Sequence, residues 1–147
     1  MDTRTITTTL AGKSIPITSH SEEETFEIAQ TVADSLQGGD VLALSGELGA
    51  GKTAFVKGLA EALGVSHTIT SPTFVVMKVY DVPAHETITT LCHVDAYRLS
   101  SGNDLEDIGI GDYMGAPNTI TVIEWAKRVK DIIPEDAIWM TFEHTEK

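Results

Sequence analysis

Cysteine, cations and long apolar runs are all scarce in this chain. Its 147 residues include one cysteine, Cys92, so no internal disulfide can form, and a reducing cytoplasm is the natural compartment. Cys92 itself reads as a small buried strand residue rather than a catalytic thiol. Ten Lys and Arg face 22 Asp and Glu, a formal net charge of −12. A protein that grips nucleic acid unaided needs a basic surface to neutralise phosphates, so strong direct nucleic-acid binding is not expected. A basic protein partner is compatible with the excess acid. No apolar run approaches the length of a membrane span, and the opening MDTRTITTTL lacks the charged and apolar regions of a signal peptide. No repeat, low-complexity tract or linker interrupts the chain, so residues 1–147 read as a single domain with room for a core.

What the chain does have is SGELGAGKTAFVKGL, Ser45 to Leu59. Gly46 to Thr53 fits the phosphate-loop pattern G-x-x-x-x-G-K-[ST] at every fixed position. At average composition that pattern arises by chance in roughly one chain of this length in a couple of hundred. Glycines let the backbone turn and approach a ligand, and successive N–H groups then form a nest for an anion. A helix beginning near Thr53 adds its positive end to the same spot. In such a loop Lys52 reaches the β- and γ-phosphates, and the Thr53 hydroxyl ligates magnesium. The context agrees: the apolar run Val41–Leu44 precedes the loop as a strand. Val56, Leu59, Ala60 and Leu63 follow at helical spacing, with Gly64 as the terminating residue.

The rest of the chain reads as α/β. Ser21-Glu-Glu-Glu24 is a capping box opening a helix with Ile28, Val32 and Leu36 on one face, ended by Gly38-Gly39. Ser66–Pro72 is a polar connection. Phe74–Tyr80 and Thr87–Asp95 are strands, joined through Asp81–Glu86 as an antiparallel hairpin. Ser100–Asp107 is an acidic turn or short helix. Thr119–Glu124 is a strand, Trp125–Asp131 a short helical piece, Pro134 a break and Ala137–Phe142 a last strand.

Three further clusters carry chemistry. In CHVDAYR, alternation puts His93, Asp95 and Tyr97 on one face of a strand. An acidic residue ending a strand beside the phosphate-loop strand is where these enzymes place a magnesium-organising carboxylate; taken alone, H-x-D-x-Y is more often a solvent-facing edge. A zinc reading lacks a third ligand at suitable spacing. In TITVIEW the apolar run ends in Glu124, a second carboxylate candidate or simply a charged strand terminus. In SPTF, the hydroxyls of Ser71 and Thr73 flank Pro72 in a loop placed to cover a γ-phosphate, or to make a turn before a strand.

Together LSGELGAGKT, ITSPTF, HVDAYRL and VIEW, with SEEET and LEDIGIGDYM, resemble the TsaE (YjeE) family, the small bacterial ATPases of tRNA threonylcarbamoyladenosine synthesis. The likeness spans roughly Ser21 to Trp125. It implies a phosphate-loop NTPase fold, a mostly parallel central sheet flanked by helices, that binds ATP and Mg2+. It implies work with a TsaD–TsaB heterodimer, which carries threonylcarbamoyl onto the adenosine next to the anticodon, the ATPase supporting turnover rather than performing the transfer. Carried over by residue, the nucleotide loop falls on Gly46, Leu48, Gly49, Ala50, Gly51, Lys52 and Thr53. The magnesium ligands fall on Thr53 and Glu124, with Asp95 organising the metal's waters or the attacking water. Lys52, Asp95 and Glu124 are thus the catalytic candidates. Thr25, in SEEET, matches a family position near the nucleotide that its local chemistry does not suggest. Family members commonly continue past the last strand into a basic strand, often with an arginine, where this sequence reads FEHTEK. The resemblance therefore implies a missing contact and a more open base pocket.

Two rivals have less support. A small-molecule kinase needs several lid arginines, and this chain has Arg4, Arg98 and Arg128, with Arg4 outside the core pattern. A GTPase needs N-K-x-D, which is absent. A nucleotide-gated binding module with negligible turnover stays open. No arginine finger is evident beside the loop. Arg98 is the nearest candidate, although alternation turns it away from Asp95, so hydrolysis is expected to be slow until a partner assists.

Overall fold

A computed structural model describes residues 3–10, 13–46, 51–65 and 76–145. Leu48, Gly49 and Ala50 of the loop, and Ser71, Pro72 and Thr73, lie outside the described residues. The elements are β1 (Thr3–Leu10), β2 (Lys13–Ser19), α1 (Glu22–Ser35), β3 (Val41–Gly46), α2 (Lys52–Leu63), β4 (Met77–Asp81), β5 (Thr90–Asp95), α3 (Gly102–Asp107), β6 (Thr119–Glu124) and β7 (Ile138–Thr145). Short 3₁₀ turns occupy Ile110–Asp112 and Ala126–Ile132. The strands form one sheet in the order β2-β1-β7-β3-β6-β5-β4.

The centre of the sheet is parallel: β3 pairs with both β6 and β7, and β6 with β5. Strands buried on both faces favour continuous apolar residues: Val41-Leu-Ala-Leu44 is apolar throughout, while β6, all six residues buried, combines Ile120, Val122 and Ile123 with buried Thr119, Thr121 and Glu124. Leu42, Leu44, Ile120, Val122, Met140 and Phe142 pack against α1 and α2 on one face. On the other, Val41, Ala43, Cys92, Val94 and Ile123 pack beneath α3 and the 126–132 turn. Each fully buried aliphatic side chain contributes roughly 1.5–3 kcal/mol relative to exposure.

The expected hairpin is β4–β5, antiparallel, with Met77 opposite Val94 and Asp81 opposite Thr90. Its second strand starts at Thr90 rather than Thr87. The ring Nδ1 of His85 accepts the N–H groups of Thr87 at 3.2 Å and Ile88 at 3.1 Å, holding those residues in a turn. The capping box is present: Ser21 Oγ accepts from Glu24 N–H at 3.1 Å, while Glu24 Oε1 accepts from His20 N–H at 2.8 Å. The helix ends at Ser35, before Gly38-Gly39. The expected face meets the core, with Leu36 buried and Ile28 and Val32 packed half-buried against it, and within the helix Thr25, Ala29 and Ala33 lie deeper still, because α1 lies close upon α2. A Cβ on Gly58 of α2 would stand 3.0 Å from Ala29 Cβ and 3.1 Å from Phe26 Cα, a crossing that only small residues permit. As expected, α2 ends on left-handed Gly64, whose N–H reaches the carbonyls of Ala60 and Glu61.

The N-terminal hairpin has no counterpart in the sequence reading. β1 pairs antiparallel with β2 and with β7, setting Ile6 opposite both Ile17 and Phe142. It carries the sheet past β7, which therefore lies inside the sheet rather than at its edge.

Candidate functional site

The loop begins where β3 crowds its neighbour. Gly46 has φ +133°, and a Cβ there would lie 2.2 Å from the Phe142 carbonyl oxygen, so only glycine lets β3 and β7 run together into the turn. At the loop's far end Gly51, with φ 100°, is the left-handed N-cap of α2 and makes no side-chain cap. Gly51 has no side chain with which to cap α2, and α2 has no acidic residue in its first turn. That end of the helix is electrostatically suited to an anion.

Lys52, the first residue of α2, is only 4% exposed. Its Nζ donates to the Gly46 carbonyl at 2.7 Å and sits 3.7 Å from the centroid of the Trp125 ring. Burial lowers its pKa from the ordinary lysine value, against the opposing pull of the Glu124 and Asp95 carboxylates. Trp125 is the single non-glycine residue with positive φ among the described residues, at 58°, a cost in backbone energy that places the indole against the lysine. The Trp125 ring also lies 4.9 Å from that of Tyr97, and the Arg128 guanidinium stands 5.3 Å from Tyr97. The contact with Lys52 is a cation–π interaction worth roughly 0.5–2 kcal/mol.

The two carboxylates come together through register. Asp95 and Glu124 are Cα partners at the carboxyl ends of parallel β5 and β6. Glu124 is 3% exposed, and its Oε2 lies 2.7 Å from Nε2 of the fully buried His93. Burial raises the Asp95 pKa above the ordinary carboxylate value; the Tyr97 N–H, donating to Oδ1 at 3.0 Å, opposes this, and Glu124 adds to it. His93 and Asp95 share a face, as alternation requires. The solvent-edge alternative fails, because β5 runs between β4 and β6 and His93 is 0% exposed. Tyr97 does not continue that face: β5 ends at Asp95, and Tyr97 is an exposed turn residue. Alternation likewise does not extend to Arg98.

Thr53 is half-buried in the first turn of α2. Thr25 is fully buried near the start of α1, with its Oγ1 2.8 Å from Ser19 Oγ and 3.2 Å from the Ser21 carbonyl oxygen. That hydroxyl ties β2 to α1. Among the described residues no cluster of three His, Cys, Asp or Glu is placed to hold a metal. The oxygen set Thr53, Glu124 and Asp95 fits magnesium, which takes one or two carboxylates and leaves its remaining positions to phosphates and water. Behind Gly46, on the sheet face away from α2, lies a cleft of about 590 Å³ lined by Trp125, Lys127, Arg128, Thr141 and Glu143.

Reading the sequence did not foresee the roles of His93 and Trp125 here. His93 was marked only as part of H-x-D-x-Y, and its bond to Glu124 depends on the β5–β6 register. Trp125 adjoins Glu124 in VIEW, but nothing local announces its left-handed backbone. The burial of Lys52 is likewise not announced by the loop pattern, which fixes its type and position alone.

Comparison with known proteins agrees with this geometry. The family model described as "Threonylcarbamoyl adenosine biosynthesis protein TsaE" matches residues 19–147. The tRNA threonylcarbamoyladenosine biosynthesis protein TsaE of Treponema pallidum is 44% identical over 117 residues, 80% of this chain and 82% of that protein. The Bacillus subtilis protein of the same name is 38% identical over 116 residues, 79% of this chain and 69% of its own length. The crystal structure of Bacillus subtilis YdiB superposes with a TM-score of 0.67 at 29% identity, covering 100% of this chain and 81% of that one. No helix among the described residues is long and apolar enough to cross a membrane. With a family model matched over residues 19–147 and relatives of one name along most of its length, the chain belongs to the TsaE family of tRNA threonylcarbamoyladenosine biosynthesis.

Proposed function

We propose that this protein binds ATP with Mg2+ at the N-terminus of α2, hydrolyses it, and thereby supports turnover of a TsaD–TsaB heterodimer in tRNA threonylcarbamoyladenosine synthesis. The observation that carries the reading is geometric: Lys52, at the start of α2, lies over the ring of Trp125, the residue after Glu124, and Glu124 is the register partner of Asp95. Magnesium, once bound, would supply positive charge to offset that of the phosphate oxygens. Thr53 and Glu124 are the residues to hold it, and His93 fixes one oxygen of Glu124 while the other is left to turn toward the ion. Lys52 exchanges the Gly46 carbonyl for phosphate oxygens. Asp95 orients water for attack on the γ-phosphorus; the bond to the β–γ bridging oxygen breaks, ADP leaves, and the water's proton passes to the released phosphate.

The family names of the relatives support the pathway. The partner assignment rests on the resemblance, and the net charge of −12 suits docking to a protein rather than unaided binding to tRNA. Phosphate release measured with and without purified TsaD–TsaB tests the whole reading. A rate raised by the pair supports it. Nucleotide-dependent association with no increase in rate would make the protein a nucleotide-gated binding module, and no association would remove the partner.

A further inference from the structure

The strand that the sequence did not announce places a cation against the phosphate loop. Arg4 lies on β1, on the same face as buried Ile6, directed toward the α1–α2 layer. Its stem and guanidinium run across Gly51, the N-cap of α2. A Cβ built on Gly51 would stand 2.9 Å from Arg4 Cδ, 3.1 Å from Nε and 3.5 Å from Cζ. The Nε is buried and makes no hydrogen bond, and among the described residues no carboxylate pairs with Arg4. Opposite Arg4 across the β1–β2 pair is Ser19, whose hydroxyl meets Thr25. The arginine thus spans from the Ser19–Thr25 contact to the first turn of α2.

A guanidinium is costly to bring out of water with an unmet donor, and a chain with 22 acidic residues has ample carboxylates to pair it elsewhere. Its position beside an uncapped helix N-terminus matches the one ligand that satisfies both at once, a polyphosphate. Arginine presents a planar fork of donors suited to phosphate oxygens. We propose that Arg4 is a phosphate-binding residue of the nucleotide site, donating from its guanidinium to a polyphosphate seated at the start of α2. This rests on the nucleotide reading above. The matched family region begins at residue 19, so the N-terminal hairpin adds this cation from outside it. Gly51 has a second role: it leaves the space through which the arginine passes.

The test titrates ATP and inorganic tripolyphosphate into the full-length protein and its Arg4→Met, Arg4→Lys and Lys52→Ala variants by calorimetry. Methionine keeps an unbranched stem over Gly51 and removes every donor; thermal melts establish that each variant is folded. Arg4→Met is expected to weaken both ligands by about tenfold or more, as loss of a charge-assisted hydrogen bond predicts. Arg4→Lys should recover part of the loss, and the salt dependence of binding should be shallower in Arg4→Met. If Lys52→Ala loses ATP while Arg4→Met binds both ligands normally, the phosphate site stands and the role of Arg4 is overturned. If Arg4→Met weakens ATP but not tripolyphosphate, Arg4 meets the nucleoside and the phosphate assignment is wrong. If neither variant alters binding, the nucleotide reading itself falls. Should Arg4→Met not fold, the comparison of Arg4→Lys with the native protein decides: unchanged affinity and salt dependence for both ligands reject a forked phosphate contact.

Discussion

β7 has two unlike neighbours. On one side runs β3, parallel, buried along nearly its whole length, ending in Gly46. On the other runs β1, antiparallel, tied in turn to β2, of which Ser19 alone is buried. The same sheet thus holds a heart covered by helices on both faces and a wing anchored mainly through Ile6. Ile15 and Ile17 of the wing are 63% and 42% exposed, whereas Leu42 and Leu44 of β3 are 0% exposed. The difference teaches how labour is divided. The heart fixes Gly46 and both carboxylates by register, while the wing need only hold an arginine in reach.

The contrast breaks first at Lys52. Lys52→Ala removes the charge that the heart holds for phosphate, and ATP affinity is expected to fall by about a thousandfold, several charge-assisted contacts being lost together. Calorimetric titration checks it; native affinity in a folded variant would refute the phosphate-loop assignment. Because Lys52 packs between Gly46 and Trp125, a modest loss of stability should accompany the change.

Within the wing, anchor and exposed residues should separate sharply. Ile6→Ala empties a fully buried position and is expected to cost about 3 kcal/mol, against under about 0.5 kcal/mol for Ile15→Ser. Urea denaturation measures both. Equal costs would mean that the hairpin does not dock as described.

The two carboxylates are expected to differ by roughly tenfold. Glu124→Ala should weaken magnesium-dependent nucleotide binding by that factor more than Asp95→Ala does, while Asp95→Ala mainly slows hydrolysis. Glu124→Ala also strands the buried Nε2 of His93 and should lower stability by about 1–3 kcal/mol. A magnesium titration at fixed ATP gives the order, and a reversed order exchanges the roles.

The smallest effect lies in the heart's interior. Burial pushes the Cys92 thiol from 9.0 up to about 12. The unfolded chain therefore releases this proton above pH 9 while the folded protein retains it. Stability is unaffected by Cys92 below pH 9, falls as pH rises from 9 toward 12, and then levels. Cys92→Ala should flatten that part of an alkaline melting series. Native protein should also resist alkylation at neutral pH, and rapid labelling would contradict the burial of β5.

How far the sequence announces these regions follows from the same division. Val41–Leu44 is legible because burial on both faces demands continuous apolar residues, Thr119–Ile123 because every residue in it is β-branched, and the phosphate loop because its chemistry fixes residue types at set spacing. Glu124 and Asp95 could be nominated as strand ends, but their meeting depends on β5 lying beside β6. The wing was missed because TRTITTTL offers one apolar anchor among threonines, with β-branched shape as its sole signal. For that reason Arg4 looked remote from the core pattern, although β1 brings it to Gly51. On α1 the apolar face of Ile28, Val32 and Leu36 was legible, whereas the deeper Thr25, Ala29 and Ala33 were not, because close helix packing selects for size rather than hydrophobicity.

The indole beneath the lysine has an optical consequence. Emission from a tryptophan responds to a charge held over its ring, and Trp125 carries the Lys52 ammonium 3.7 Å from its centroid. The second tryptophan, Trp139, lies on β7 and supplies a background. A ligand that draws the ammonium onto phosphate oxygens uncovers the Trp125 ring, so intrinsic fluorescence can report occupancy of the loop without any label. In Lys52→Ala the signal is permanently in its uncovered state, and adding nucleotide has nothing left to switch.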